Sequence, residues 1–148
     1  MRYLAIVLAG LFFAGPVAAE PVENTGIICE DPKDAKNRVY YFYEGKVHEV
    51  YLGQYKIVRV ISLTSYDISD SEIIWSLPIR GTTWEYRREF DRTTLVLLKE
   101  YINHALDESG KAATSHKVSY QCQTTDKAGI EDLYGPGALD LIVRDRDT

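Results

Sequence analysis

Through most of its length this chain alternates apolar and polar side chains at every second residue, the period of a β-strand with one wet and one dry face. The alternation is cleanest in "SHKVSYQCQ", Ser115 to Gln123. There Val118, Tyr120 and Cys122 share one parity, and Lys117, Ser119, Gln121 and Gln123 the other. Such a rhythm demands strand beside strand over a common core. Short runs rich in Val, Ile, Tyr, Phe and Trp recur between turn residues, with no long helical pattern separating them. The expectation is an all-β fold, an antiparallel meander barrel or flattened sandwich of about seven or eight strands.

The first hairpin is the most explicit. "RVYYFY" (Arg38 to Tyr43) and "KVHEVYL" (Lys46 to Leu52) flank Glu44-Gly45, with Gly45 suited to the positive φ of a two-residue turn. That register sets Phe42 opposite Val47 and Val39 opposite Val50. "YKIVRVISL" (Tyr55 to Leu63) and "SEIIWSL" (Ser71 to Leu77) are two more strands, the second closed by Pro78. "NHALDESGKAAT" (Asn103 to Thr114) lacks alternation and reads as a long loop, with a helical turn an option at Tyr101 to Leu106.

"WEYRREFDRTTLVLLKEY" (Trp84 to Tyr101) crowds six charges into eight positions. Period two resolves them: Trp84, Tyr86, Arg88 and Phe90 lie on one side, Glu85, Arg87 and Glu89 on the other. The charges are then the solvated face of a hairpin, and Asp91 caps its turn through its own carboxylate. Arg88 breaks the pattern. A cation on the aromatic side must snorkel, stack on Trp84 or Tyr86, or mark a strand end.

The amino-terminal "MRYLAIVLAGLFFAGPVAAE" has a basic start at Arg2, an apolar run over Leu4 to Ala14 and a small-residue Val17-Ala18-Ala19 site. This is the layout of a signal peptide over residues 1–19, too short for a bilayer span of about 20 residues. The β domain is expected over 20–123, and a peripheral or partly disordered tail over 124–148. Two cysteines, Cys29 and Cys122, lie near the ends of that domain, and in an exported protein a disulfide is the default. Joining a first strand to a last one suggests a closed or nearly closed sheet. The expected location is periplasmic or secreted, with no transmembrane segment after cleavage. Net charge is −5, which argues against nucleic acid as a partner.

The combination of Trp75, "EYRREFDRTTLVL" and "YQC" resembles small exported all-β proteins of proteobacteria. In those, an aromatic-x-(Leu/Phe)-Asp-Arg-x-Thr-Leu hairpin precedes a terminal Tyr-x-Cys strand. The matching residues are Tyr86, Phe90, Asp91, Arg92, Thr94, Leu95, Tyr120 and Cys122. The resemblance implies fold and export; it carries no functional residue with it.

Chemistry is sparse. His48, His104 and His116 form no metal-spaced motif, the serines lack a nucleophile elbow, and the paired acids Glu30-Asp31, Asp107-Glu108 and Glu131-Asp132 read as solvated charge. No catalytic residue, metal ligand or cofactor is expected. What stands above background is aromatic content on both faces of the first hairpin, so that one face is core and the other is covered or exposed. The expected function is a non-enzymatic binding domain for a protein or envelope partner. Tyr41, Tyr43, His48 and Arg88 are its candidate binding residues. The alternatives are a lipocalin-like barrel for a small molecule, its cavity lined by Trp75, Trp84 and Tyr120, and a carboxylate-dependent hydrolase.

Overall fold

A computed structural model describes residues 21–33 and 36–144. The expected signal peptide lies outside the described residues. Among the described residues nine strands form one antiparallel sheet: β1 Thr25–Glu30, β2 Asn37–Tyr43, β3 Lys46–Leu52, β4 Val58–Ser65, β5 Asp67–Ile68, β6 Glu72–Pro78, β7 Trp84–Asp91, β8 Val96–Leu106 and β9 Ala112–Asp126. Helices α1 (Lys127–Tyr134) and α2 (Asp140–Arg144) follow. The spatial order is β4-β3-β2-β1-β9-β8-β7-β6-β5. It is a meander in which the last strand pairs with the first. The edges β4 and β5 share no ladder, so the sheet curls without closing.

The local rules act as the sequence implies. The β2–β3 hairpin pairs Phe42 with Val47 and Val39 with Val50. Its turn places Glu44 at φ 50° and Gly45 at φ 69°, the two positive values a twisted two-residue turn requires. The Glu23 carboxylate accepts from the Glu44 amide, tying the opening segment to this turn. At the β7–β8 turn Asp91 Oδ1 accepts from the Thr93 and Thr94 amides, both at 2.8 Å.

Alternation divides the apolar residues between two faces. Inside the curl Ile27, Cys29, Tyr40, Phe42, Val47, Ile73, Trp75, Phe90, Leu97, Tyr120 and Cys122 form one buried cluster. Trp75 is wedged edge-on against Tyr40 at 5.3 Å and Phe42 at 5.8 Å. Outside, Ile28, Val39, Tyr41 and Val50 form a second cluster with Ile130, Leu139 and Ile142 of the carboxyl-terminal segment. Cys29 and Cys122 are bonded at 2.05 Å and stand directly opposite each other in the β1–β9 register.

One expectation needs correction. Asn103 to Thr114 is not a long loop: β8 runs to Leu106, β9 starts at Ala112, and the turn between them is held by Asp107 Oδ1, which accepts from the Ser109 and Lys111 amides. His104, Ala105 and Leu106 are exposed, so no core enforces alternation there. The segment after Gln123 is described as far as Arg144. β9 continues to Asp126, whose carboxylate caps α1 by accepting from the Gly129 amide at 2.9 Å, and Ile130 is 0% exposed. The short helices cover apolar residues that a one-sided sheet would leave wet.

Candidate functional site

The sequence-derived candidates fall on opposite sides of the sheet. Tyr41, Tyr43 and His48 share the outer face. The rings of Tyr41 and Tyr43 stack at 6.2 Å, Tyr43 lies 6.3 Å from His48, and His48 is the register partner of Tyr41. Tyr41 is buried beneath the helices and Tyr43 is half-buried beside them. This face is covered, and it is the second half of the core rather than an exposed aromatic patch.

His48 is itself buried, its Nε2–H donating to the Tyr43 carbonyl at 3.2 Å. Burial pushes its imidazole below the ordinary value. A depressed folded value means that the unfolded chain takes up the proton more readily. The stability this contributes is full above about pH 6.5 and is lost as pH falls through the folded value. Melting temperature should therefore drop between pH 7 and pH 5, and His48→Gln should flatten that drop. Equal slopes for the two proteins would exclude His48 as the cause.

Arg88 lies on the inner face, where two rows of register partners cross four strands. Trp75, Arg88, Lys99 and Val118 form one row of β6, β7, β8 and β9; Leu77, Tyr86, Tyr101 and His116 form the next. Arg88 is 6% exposed. Its guanidinium lies 5.7 Å from the Tyr40 ring centre and 5.8 Å from that of Tyr86. Lys99 Nζ lies 5.2 Å from Tyr86 and 5.0 Å from Tyr101. A third cation, Arg38, sits over Tyr120 at 5.5 Å and is paired to Asp31 at 2.9 Å. Three cations thus interleave with four tyrosine rings at the end of the curl where β2 begins and β3 ends.

The electrostatics of this end are unusual. Burial pushes the Lys99 ammonium below its ordinary value, and the like charges of Arg88 and Arg38 push it further the same way; Glu49 opposes them. Burial pushes the Tyr40 phenol up to about 12. Arg88 Nε and Nη1 and Trp75 Nε1 are buried donors without a hydrogen-bond partner among the described residues. A cleft of about 320 Å³ bordered by Arg38, Glu49, Tyr51 and Ile61 opens beside the cluster.

The opposite end of the curl holds a larger depression of about 540 Å³, lined by Val22, Ile27, Phe42, Ile73, Phe90 and Arg92 among others. Its cation is engaged, since Arg92 Nη1 donates to the Ser69 carbonyl at 3.1 Å. Trp75, which the sequence reading set in a cavity wall with Trp84 and Tyr120, packs edge-on against Tyr40 and Phe42. Lys99 escaped the sequence reading although its signal was the one that marked Arg88, a cation on the parity of Leu97 and Tyr101.

Among the described residues no group of three or more His, Cys, Asp or Glu could hold a metal, and no helix is long and apolar enough to cross a membrane. No protein-family model, curated protein or solved structure matches the chain.

Proposed function

We propose that this protein is an exported, non-enzymatic binding domain, periplasmic or secreted, that holds a small molecule at the tyrosine end of its inner face. Export is supported by Arg2 and the apolar run behind it, and by the Cys29–Cys122 bridge, which suits an oxidising compartment. One observation carries the choice of site. On a sheet face otherwise filled by a packed core, β7 and β8 place Arg88 directly opposite Lys99. Like charges facing each other across an antiparallel pair are destabilising. A chain selected for stability alone would put apolar or opposite-sign residues there. Aromatic rings with cations between them form a surface for small-molecule recognition, giving contact area from the rings and orientation from the charges.

This reading favours a small ligand over a protein docked on Tyr41 and Tyr43, since those residues are covered. The fluorescent probe 8-anilinonaphthalene-1-sulfonate should bind the folded protein with a rise in emission. The double variant Tyr86→Ala, Tyr101→Ala should weaken binding by about tenfold or more, as loss of two aromatic contacts implies. Tyr55→Ala is the control, because Tyr55 is 91% exposed on the turn after β3 and lies in neither row of register partners. Absence of a rise with the wild type, or equal affinity in the double variant, would refute the site.

A further inference from the structure

The same end of the curl specifies a ligand chemistry, an inference that rests on the binding site just proposed. Arg88 is more than nine-tenths buried, yet Nε and Nη1 of its guanidinium fork make no hydrogen bond among the described residues. Its cross-strand partner on β6, Trp75, likewise has a buried and unmatched indole N–H. All three groups are donors. Buried donors left unmatched are costly, and natural cores pair nearly all of them. What this row requires is an acceptor, and an anionic one, because a hydrogen bond from a guanidinium to an oxyanion is charge-assisted and about twice as strong as a neutral one.

Charge gives the valence. Arg38, Arg88 and Lys99 are the cations of the site, and Asp31 and Glu49 the carboxylates. Asp31 is committed to Arg38 and also accepts from the Lys33 amide at 3.0 Å. Glu49 lies across β2 from Arg88, as the register partner of Tyr40. It forms no ion pair with Arg88 or Lys99 among the described residues. Three positive charges against two negative ones leave one uncompensated. Lys99 rests on both Tyr86 and Tyr101, two half-buried rings in the row next to that of Arg88.

We propose that the row Trp75–Arg88–Lys99 receives the oxyanion of a planar monoanion, an aryl carboxylate or sulfonate, whose ring system lies against Tyr86 and Tyr101. The oxygens accept from an unmatched N–H of Arg88 and from the Trp75 indole N–H, and the anion relieves the repulsion between Arg88 and Lys99. A neutral molecule of the same shape gains the rings alone.

The test is competition against bound 8-anilinonaphthalene-1-sulfonate by 2-naphthoate and by 2-naphthalenemethanol, which share a ring system and differ in charge. In the wild type 2-naphthoate should displace the probe at a concentration about tenfold or more below that of the alcohol, the scale of a charge-assisted pair. Arg88→Met should bring the two competitors to within about twofold of each other, with the alcohol unaffected. Thermal melts establish that the variant is folded. Should Arg88→Met fail to fold, Lys99→Met carries the test and should at least halve the preference. Equal competition in the wild type, or a preference that survives in the folded variant, overturns the oxyanion assignment while leaving the binding site in place. A probe that never binds removes both.

Discussion

Replacing Cys29 and Cys122 together by Ala is expected to lower the unfolding free energy by about 4–5 kcal/mol, through loss of the constraint on the unfolded chain. The two residues are 93 apart in sequence and face each other across β1 and β9. They close nearly the whole described fold into one loop, and the entropy removed by a crosslink grows with loop length. Cys29 is 0% and Cys122 6% exposed within the inner cluster. Ala at both sites also removes buried sulfur, which adds to the loss rather than offsetting it. For a domain of this size that is roughly a 15 °C fall in melting temperature. Total stabilities run to about 5–15 kcal/mol, so the bridge is a large fraction of the whole. The denaturant midpoint of reduced wild type should lie below that of the oxidised protein and somewhat above that of the double variant, which also loses the buried sulfurs. A loss under about 1 kcal/mol would mean that the β1–β9 ladder alone holds the ends of the sheet together.

How much of this architecture could be read from the residues depends on what enforces alternation. Where a strand has one dry and one wet face, as in Val118–Tyr120–Cys122, parity alone places each side chain, and the structure agrees. Turns written in Glu44-Gly45 and Asp91 were equally readable, because their chemistry is local. The rest failed for identifiable reasons. Past Tyr101 both sides of β8 become progressively exposed, so nothing selects apolar residues at every second position. The helix α1 has eight residues and one fully buried anchor, too few to show a 3.6 period. Its readable marks were Asp126 at the start and Gly135 at the end. The near-continuous apolar run of β2 was the clue that its outer face is covered as well. Arg88 was visible as a violation of parity. Of its partners Tyr86, on the same strand, was legible too; Tyr40, Trp75 and Lys99 were not, because they come from three other strands and meet it only through the fold of the sheet.

Ile130→Asp is expected to release the carboxyl-terminal helices from the sheet at a cost of roughly 3 kcal/mol or more, the range for emptying a buried aliphatic site. The seat of this side chain is built from β1. At Gly26 a Cβ would lie 3.0 Å from Ile130 Cδ1 and 2.8 Å from the Tyr40 carbonyl, so glycine there is what lets α1 approach. A carboxylate placed among Ile28, Val39, Tyr41 and Val50 has no partner in that cluster, and an unpaired buried charge costs more than undocking the helix. Undocking is therefore the path taken, which bounds the penalty and makes it local. Lys127 at the start of α1 reports it, since trypsin cleaves an undocked segment in proportion to how often it opens. A 3 kcal/mol loss should raise the cleavage rate after Lys127 by about a hundredfold while β6, β7 and β8, which lie away from the helices, stay protected. Ile130→Ala should give an intermediate rate. Were cleavage after Lys127 unchanged in both variants, the outer cluster would not depend on α1. Tyr41, Tyr43 and His48 would then have to be treated as a surface again.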